Sequence, residues 1–374
     1  MTWLALAALL STTLAAEAQT QIFEAEGLTL RAESLVEGLE HPWGIDFLPD
    51  GAAIVTERVG RMRILSEGEL SEPLQGVPEV AVVGQGGLLD VTAARDFATS
   101  GTIFFSYAEP GRGGAGTAIA RARLVRDDGE PRLEDVRRLF TLEPKTRQGQ
   151  HFGSRIVEMP DGTLFFTIGD RGDGERAQDL SDPAGSVLRI NPDGTIPRDN
   201  PFVGREDAAP EIWSIGHRNP QGAVFDPLTD ALWTVEHGAR GGDEVNRPEA
   251  GKNYGWPMIG YGRHYSGQRI GVGTEAPGYE QPKYFWDPSI APSGMAVYDG
   301  AMFPEWQGDF LVGALSFQLV TRLDRDSGGK IIGEERLFEG AFGRIRDVEV
   351  APDGSLWLLT DASNGRIIRI SRAE

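Results

Sequence analysis

None of the 374 residues is a cysteine, which excludes disulfides, thiolate metal sites and cysteine nucleophiles together. Positive charge is scarce: 36 Lys and Arg stand against 56 Asp and Glu, a net charge of −20. Such acidity argues against nucleic acid or an anionic membrane as partner, and most of these carboxylates serve solubility. Beyond the first eighteen residues no apolar run is long enough to span a bilayer as a helix. Nucleotide and hydrolase signatures are missing as well. Gly84-Gln-Gly-Gly87 lacks the GxGxxG pattern and a P-loop lysine, and there is neither a G-x-S-x-G elbow nor an HExxH helix. Long helical periodicity and Pro/Ser linkers are also lacking.

What the chain does have is a phrase written six times: an apolar stretch, a tight turn, a second apolar stretch and often a closing Thr-acid pair. The best copies are Gly44-Ile-Asp-Phe-Leu-Pro-Asp-Gly running to Thr56-Glu57, Ile156-Val-Glu-Met-Pro-Asp-Gly running to Asp170, and Val348-Glu-Val-Ala-Pro-Asp-Gly running to Thr360-Asp361. Weaker copies lie at 87–106, 222–236 and 294–313. Each reads as a β-hairpin, turned by Pro-Asp-Gly in the three best copies and irregularly at 87–106 and 222–236. One hairpin cannot bury its apolar faces alone, so six at regular intervals predict a closed array. The expected fold is all-β, a six-bladed β-propeller of four-stranded antiparallel sheets. At the N-terminus, the apolar run Trp3 to Leu10 and the small-x-small triplet Ala16-Glu17-Ala18 predict an export signal over residues 1–18. Residues 19–374 then form one propeller domain of roughly 59 residues per blade, periplasmic or secreted. Losing Glu17, the one charged residue of that signal, would bring the net charge from −20 to −19.

Residues that interrupt the repeat are candidates for chemistry. His151 opens the second good copy and Asp170 closes it, so the outgoing and returning strands can bring them together at one rim. A carboxylate there would fix the imidazole tautomer and raise its basicity, as a general base requires; a structural hydrogen bond is the plainer reading. Arg344 and Arg346 stand two apart, hence on one face of a strand. Either they pair with Asp347 or Glu349 at the surface, or, with Arg218 and Asn219, they clamp a ligand bearing several carboxylates. The Gly-rich acidic loop Glu236–Asn246 offers carbonyl and carboxylate oxygens of the kind calcium prefers, though its spacing is not that of an EF-hand.

Taken together, these segments resemble the soluble quinoprotein aldose (glucose/sorbosone-type) sugar dehydrogenases, which use pyrroloquinoline quinone. The phrases that carry the resemblance are His41-Pro-Trp-Gly-Ile-Asp-Phe, Gly84-Gln-Gly-Gly-Leu-Leu89, His151-Phe-Gly-Ser-Arg155 with Thr167-Ile-Gly-Asp170, and Gly216-His-Arg-Asn-Pro-Gln-Gly222. Asp243-Glu-Val-Asn246 with Asn253-Tyr-Gly-Trp-Pro257, and Arg344-Ile-Arg-Asp347, complete the set. The resemblance implies oxidation of the anomeric hydroxyl of an aldose to a lactone by hydride transfer to calcium-bound quinone. His151 is then the base, Asp170 its support, and Arg218 a stabiliser of developing charge. Gln85, Arg218, Asn219, Tyr265, Arg344 and Arg346 fall on cofactor positions. The carbonyls of Gly238 and Ala239 match the calcium that faces the quinone, and Glu244 with the Tyr254 carbonyl match a second, structural calcium. One departure is Gly313-Ala-Leu-Ser316, where the family commonly ends in lysine; Gln318 is a possible stand-in. The implied partners are an aldose and an external electron acceptor, with no nucleic acid or membrane insertion, in a monomer or homodimer. The competing readings are a calcium-dependent sugar lactonase on the same architecture, and a non-catalytic propeller that binds carbohydrate or protein.

Overall fold

A computed structural model describes residues 20–127 and 129–373; the expected signal segment lies outside the described residues. The Pro-Asp-Gly turns of the three best copies fold alike. Gly51, Gly162 and Gly354 donate their N–H to the carbonyls of Leu48, Met159 and Ala351 at 2.8–2.9 Å. All three sit at φ between 81° and 87°, where a side chain would strain the backbone. The aspartate before each glycine accepts the amide of the following residue, as Asp353 Oδ1 does from Ser355 at 2.9 Å, closing an Asx turn.

Each of the six phrases forms the two innermost strands of one blade. Blade one comprises Pro42–Phe47, Ala53–Glu57, Arg61–Ser66 and Glu69–Leu70. Blade two comprises Leu88–Ala93, Thr102–Gly111, Gly114–Val125 and Arg132–Thr141. Ile156–Glu158, Leu164–Ile168, Ser186–Ile190 and Ile212–Ile215 make blade three; Pro220–Asp226, Ala231–Glu236, Asp243–Asn246 and Tyr284–Trp286 make blade four. Blade five is Pro292–Val297, Phe310–Ala314, Leu319–Arg325 and Ile331–Leu337. The sixth is shared between the termini. Ile345–Val350, Leu356–Thr360 and Gly365–Arg372 come from the C-terminal end, and Leu28–Leu39 and Gln21–Ala25 are added from the N-terminal end. Leu30 pairs with Arg372 and Leu39 with Gly365, so the ring is latched by main-chain bonds between its two ends, and this blade has five strands rather than four.

The apolar core lies between blades. Ile54, Met62 and Ile64 of blade one pack on Phe105 and Ala120 of blade two. Equivalent clusters join two to three, three to four, four to five, five to six, and six back to one. No sheet face is left uncovered around the ring, which accounts for the fold as burial of apolar area between sheets. Five innermost strands carry a register shift near their first residues, at Pro42/Ile45, Leu88/Val91, Pro220/Gly222, Pro292/Met295 and Ile345/Asp347. Such bulges bend a strand and re-aim its side chains. They fall at the end of the channel where the candidate residues gather.

Candidate active site

The loops entering the innermost strands carry His41, Gln85, His151, Asn219, Ala291 and Arg344. The second strands return to the same rim with the phrase-ending acids Glu57, Asp170, Glu236 and Asp361. Hairpin geometry alone therefore sets a ring of acids beside a ring of loop residues. Three of those loop residues, His41, His151 and Ala291, hold φ between 50° and 56°, a left-handed conformation uncommon outside glycine and frequent at functional sites.

His151 Nδ1 lies 2.5 Å from Asp170 Oδ1, and both side chains are buried. Asp170 Oδ1 also accepts the Gly172 amide at 2.7 Å, and Oδ2 accepts Trp256 Nε1 at 2.8 Å. Burial pulls the Asp170 carboxyl upward, but the hydrogen bonds and nearby positive charge prevail, and it stays ionised below the ordinary carboxylate value. Burial is also the largest influence on His151. It lowers the imidazole below its usual value with help from the charge of Arg218, against the pull of Asp170. The ring is thus neutral near pH 7, with Nδ1–H held by the carboxylate and Nε2 left as a free base. The backbone N–H of His151 donates to Gln85 Oε1 at 2.8 Å, and the buried Arg171 clasps the loop through the carbonyls of Gln148 and Gln150.

From this pair a hydrogen-bonded chain runs through most of the residues singled out in the sequence. The Asp170 amide donates to the Arg218 carbonyl at 2.9 Å. Arg218 lies over the Trp256 ring, 5.3 Å from its centroid, and donates through Nη1 to the Gly238 carbonyl. Its own amide donates to Glu236 Oε2 at 2.7 Å. Asn219 Oδ1 accepts from Gly153 N at 3.2 Å and from Gln221 Nε2 at 3.3 Å. Gln221 Oε1 in turn accepts Arg346 Nη1 at 2.9 Å. Arg346 and Arg344 both reach Asp361, at 3.1 and 3.3 Å, and His41 Nδ1 meets the same carboxylate at 2.8 Å. The predicted pairing with Asp347 or Glu349 is therefore corrected. Asp347 faces the buried Arg155 instead, 3.0 Å away, and alternation along the strand separates the two sides.

A cavity of about 380 Å³ is lined by Gln85, Gln221, His237, Arg344, Arg346 and Asp361 among others. Two buried polar atoms of the surrounding network have no protein partner: Asn219 Nδ2, on a residue that touches the lining Gly153 and Gln221, and Arg218 Nε, on a residue that lines the adjoining crevice. Buried donors left open are costly in a finished structure, so these fit a ligand with acceptor oxygens. Glu244 lies on the other side of Arg218. Asn246 Nδ2 bridges Glu236 Oε1 and Glu244 Oε2, at 3.0 Å each. Burial, then repulsion from Glu236, pushes the Glu244 carboxyl up to about 8. Tyr254 lines the same narrow crevice and stacks on His217 with centroids 4.7 Å apart. Among the described residues no three His, Cys, Asp or Glu side chains converge as a metal cage, so a cation here would rely on main-chain oxygens as well.

Not every candidate joins the cluster. Tyr265 is 75% exposed and lines an outer groove together with Gly238, Ala239 and Ser316; Gln318 sits in an exposed turn at φ 55°. Conversely, Asp361, His237 and Trp256 are among the site residues that were not singled out. Asp361 had a signal, since it ends a phrase as Asp170 does. His237, half-buried with its ring donating to the Pro292 carbonyl at 2.7 Å and pushed down to about 3 by desolvation and by Arg218, stood inside the Gly-rich loop. Trp256 had only its place in the Asn253–Pro257 phrase. Removing its indole donor with Trp256→Phe keeps the ring under Arg218 but strips a charge-assisted bond from Asp170. We expect turnover to fall about tenfold with KM nearly unchanged, the usual worth of such a bond. The acid limb of the pH profile should also move up as Asp170 becomes a stronger base. Steady-state kinetics across pH checks both, and an unchanged profile would reduce the tryptophan to packing.

A family model described as Glucose / Sorbosone dehydrogenase matches residues 39–369. The chain is 44% identical over 348 residues to the aldose sugar dehydrogenase YliI of Escherichia coli, covering 92% of this chain and 93% of that one. The crystal structure of the soluble aldose sugar dehydrogenase from Escherichia coli in its apo form superposes with a TM-score of 0.88 at 43% identity, covering 92% of this chain and all of that one. The PQQ-bound aldose sugar dehydrogenase of Streptomyces coelicolor follows at 0.76 and 25% identity, covering 96% and 99%. With the six-bladed ring and nearly its whole length matched, this chain belongs to the glucose/sorbosone dehydrogenase family.

Proposed function

We propose that this protein oxidises the anomeric hydroxyl of an aldose to the corresponding lactone, with pyrroloquinoline quinone as the two-electron acceptor and calcium as its companion. The observation that carries the proposal is the buried His151–Asp170 pair, tied through the His151 amide to Gln85 in the wall of a cavity that Arg58, Arg344 and Arg346 also line. A non-catalytic propeller has no use for that pair, and a lactonase has none for the arginines.

The fit of this chain to the quinone rests on Arg218, Asn219, Arg344 and Arg346, whose cationic and amide donors suit a planar polycarboxylate. Gln85 and Gln221 border the same space. When bound, the quinone supplies an electrophilic carbonyl carbon that accepts hydride. The protein's part is proton handling and positioning. His151 Nε2 takes the proton of the anomeric hydroxyl as the C–H bond breaks and the lactone carbonyl forms. Asp170 holds the ring and stabilises the imidazolium. Arg218, fixed over Trp256, places positive charge where negative charge develops. The Gly238 and Ala239 carbonyls, and separately Glu244 with the Tyr254 carbonyl, are the oxygens that would hold calcium. Gly238 O already accepts from Arg218, but a carbonyl has two lone pairs and can serve both.

The test is an absorption spectrum. The purified chain is loaded with pyrroloquinoline quinone and calcium, and glucose is then added. Conversion of the bound quinone to its reduced form, with one lactone per quinone, is expected. No spectral change with any aldose would reject the reading.

A further inference from the structure

Continuous with the cavity through His237 and Ala291 lies a groove of about 1090 Å³, which also takes in Gly238, Ala239 and Tyr265, the positions assigned above to the calcium and the cofactor. Its volume exceeds the roughly 300–1,000 Å³ of an ordinary small-molecule pocket, far more than one sugar ring fills. Its outer wall is three short backbone segments laid side by side. Arg240 and Arg263 pair through two main-chain hydrogen bonds, of 2.8 and 3.0 Å, and Arg263 bridges Arg269 in the same antiparallel sense.

This pairing puts three arginines opposite one another. Like charges directly across an antiparallel pair are destabilising. Yet all three line the groove, and none appears in an ion pair among the described residues, although acids outnumber bases by twenty along the chain. Arg269 only caps the Val272 carbonyl. Asp287 is the one carboxylate lining the groove, leaving an excess of positive charge. Beside the arginines, Tyr265 stands 75% exposed, and Tyr261 is stacked on Phe285 with centroids 4.0 Å apart. Exposed aromatic faces suit the apolar C–H faces of sugar rings, and guanidinium forks suit carboxylate or phosphate oxygens.

We propose that this groove is a subsite for an acidic extension of the sugar, a carboxylate- or phosphate-bearing unit attached to the aldose that is oxidised. The inference rests on the sugar-oxidising reading above and narrows its substrate class. It explains why charges that repel are lined up on an otherwise acidic molecule.

The experiment compares substrates that share the same reacting ring. Cellobiose is set against glucuronosyl-(1→4)-glucose, and glucose against glucose 6-phosphate, using quinone- and calcium-loaded enzyme at low ionic strength. We expect kcat/KM to favour an acidic member on the order of tenfold, mainly through KM, as charge-assisted bidentate contacts do. The preference should shrink at high salt and collapse toward unity when Arg240→Gln, Arg263→Gln and Arg269→Gln are combined. Preference within the first pair identifies a uronate, and within the second a phosphate. Preference in neither pair, or one that survives the triple substitution, overturns the inference. So does weakened quinone binding in the triple variant with the preference intact, because the arginines would then belong to the cofactor. Calorimetric titration of glucuronosyl-glucose into the quinone-free chain separates this from the broader reading. If no aldose is oxidised but the acidic sugar still binds in an arginine-dependent way, the catalytic proposal fails and the subsite stands.

Discussion

Replacing His151 is expected to lower turnover about 10²–10⁴-fold, the contribution of a well-placed general base, with quinone binding retained. Alanine is the usual choice, but His151 sits at φ 55°, and asparagine tolerates that conformation better. His151→Asn is therefore the cleaner variant, with His151→Ala beside it. Quinone binding, followed by absorbance, should change little in either, since the assigned cofactor contacts come from other loops. The pH profile of the parent enzyme carries a second sign. The imidazole is lowered from 6.5, and only its neutral form accepts a proton. The rate should hold as pH falls through 6.5 and drop only once the depressed value is crossed. Asp170→Asn removes the influence that holds the value up, so the limb should move lower still, while turnover falls because the tautomer is no longer fixed. A variant without His151 that oxidises glucose at a rate close to the parent would end the assignment of base.

Much of this arrangement could be read from the residues because a hairpin is local. Pro-Asp-Gly sets a turn within four residues, and the ends of the hairpin meet wherever the rest of the chain goes. The inner strand pairs of the three Pro-Asp-Gly copies, and the meeting of His151 with Asp170, follow from that. Long-range pairing was not legible in the same way. Nothing in Leu28–Leu39 says that its partner is Gly365–Arg372, more than three hundred residues on. The sixth blade accordingly has five strands against the expected four. The partner of Arg344 and Arg346 failed for a related reason. Neighbours in sequence, Asp347 and Glu349, were one of two open readings, but alternation along the strand sends Asp347 to Arg155 and leaves the arginines facing Asp361. Sequence distance misled there by only a few residues. Trp256 escaped because an indole donor becomes meaningful only when its acceptor is known, and Asp170 lies 86 positions away.

Stripping divalent cations is expected to abolish sugar oxidation, and calcium with quinone to restore it. Glu236 and Glu244 are two carboxylates bridged by one Asn246 amide. Their repulsion adds to burial in raising Glu244 to about 8, so near pH 7 the carboxyl is largely neutral without a cation. A divalent ion relieves both influences by neutralising charge, and the oxygen-rich surroundings favour calcium over zinc, with no thiolate available. The linkage has a definite sign. Binding must ionise a carboxyl that is protonated below about 8, so each ion bound at that site releases protons, and affinity rises with pH until that value is passed. Below it, affinity should fall up to about tenfold per pH unit if one proton is displaced. Calorimetry in two buffers of different ionisation enthalpy measures the proton release directly. Glu244→Gln keeps the shape and removes the charge; it should weaken calcium binding and abolish its pH dependence without touching the His151–Asp170 pair. Full activity in enzyme shown by elemental analysis to be free of metal would refute the calcium requirement. Calcium binding that is insensitive to pH between 6 and 8 would move the ion away from Glu244, leaving the Gly238 and Ala239 carbonyls as the oxygens to test next.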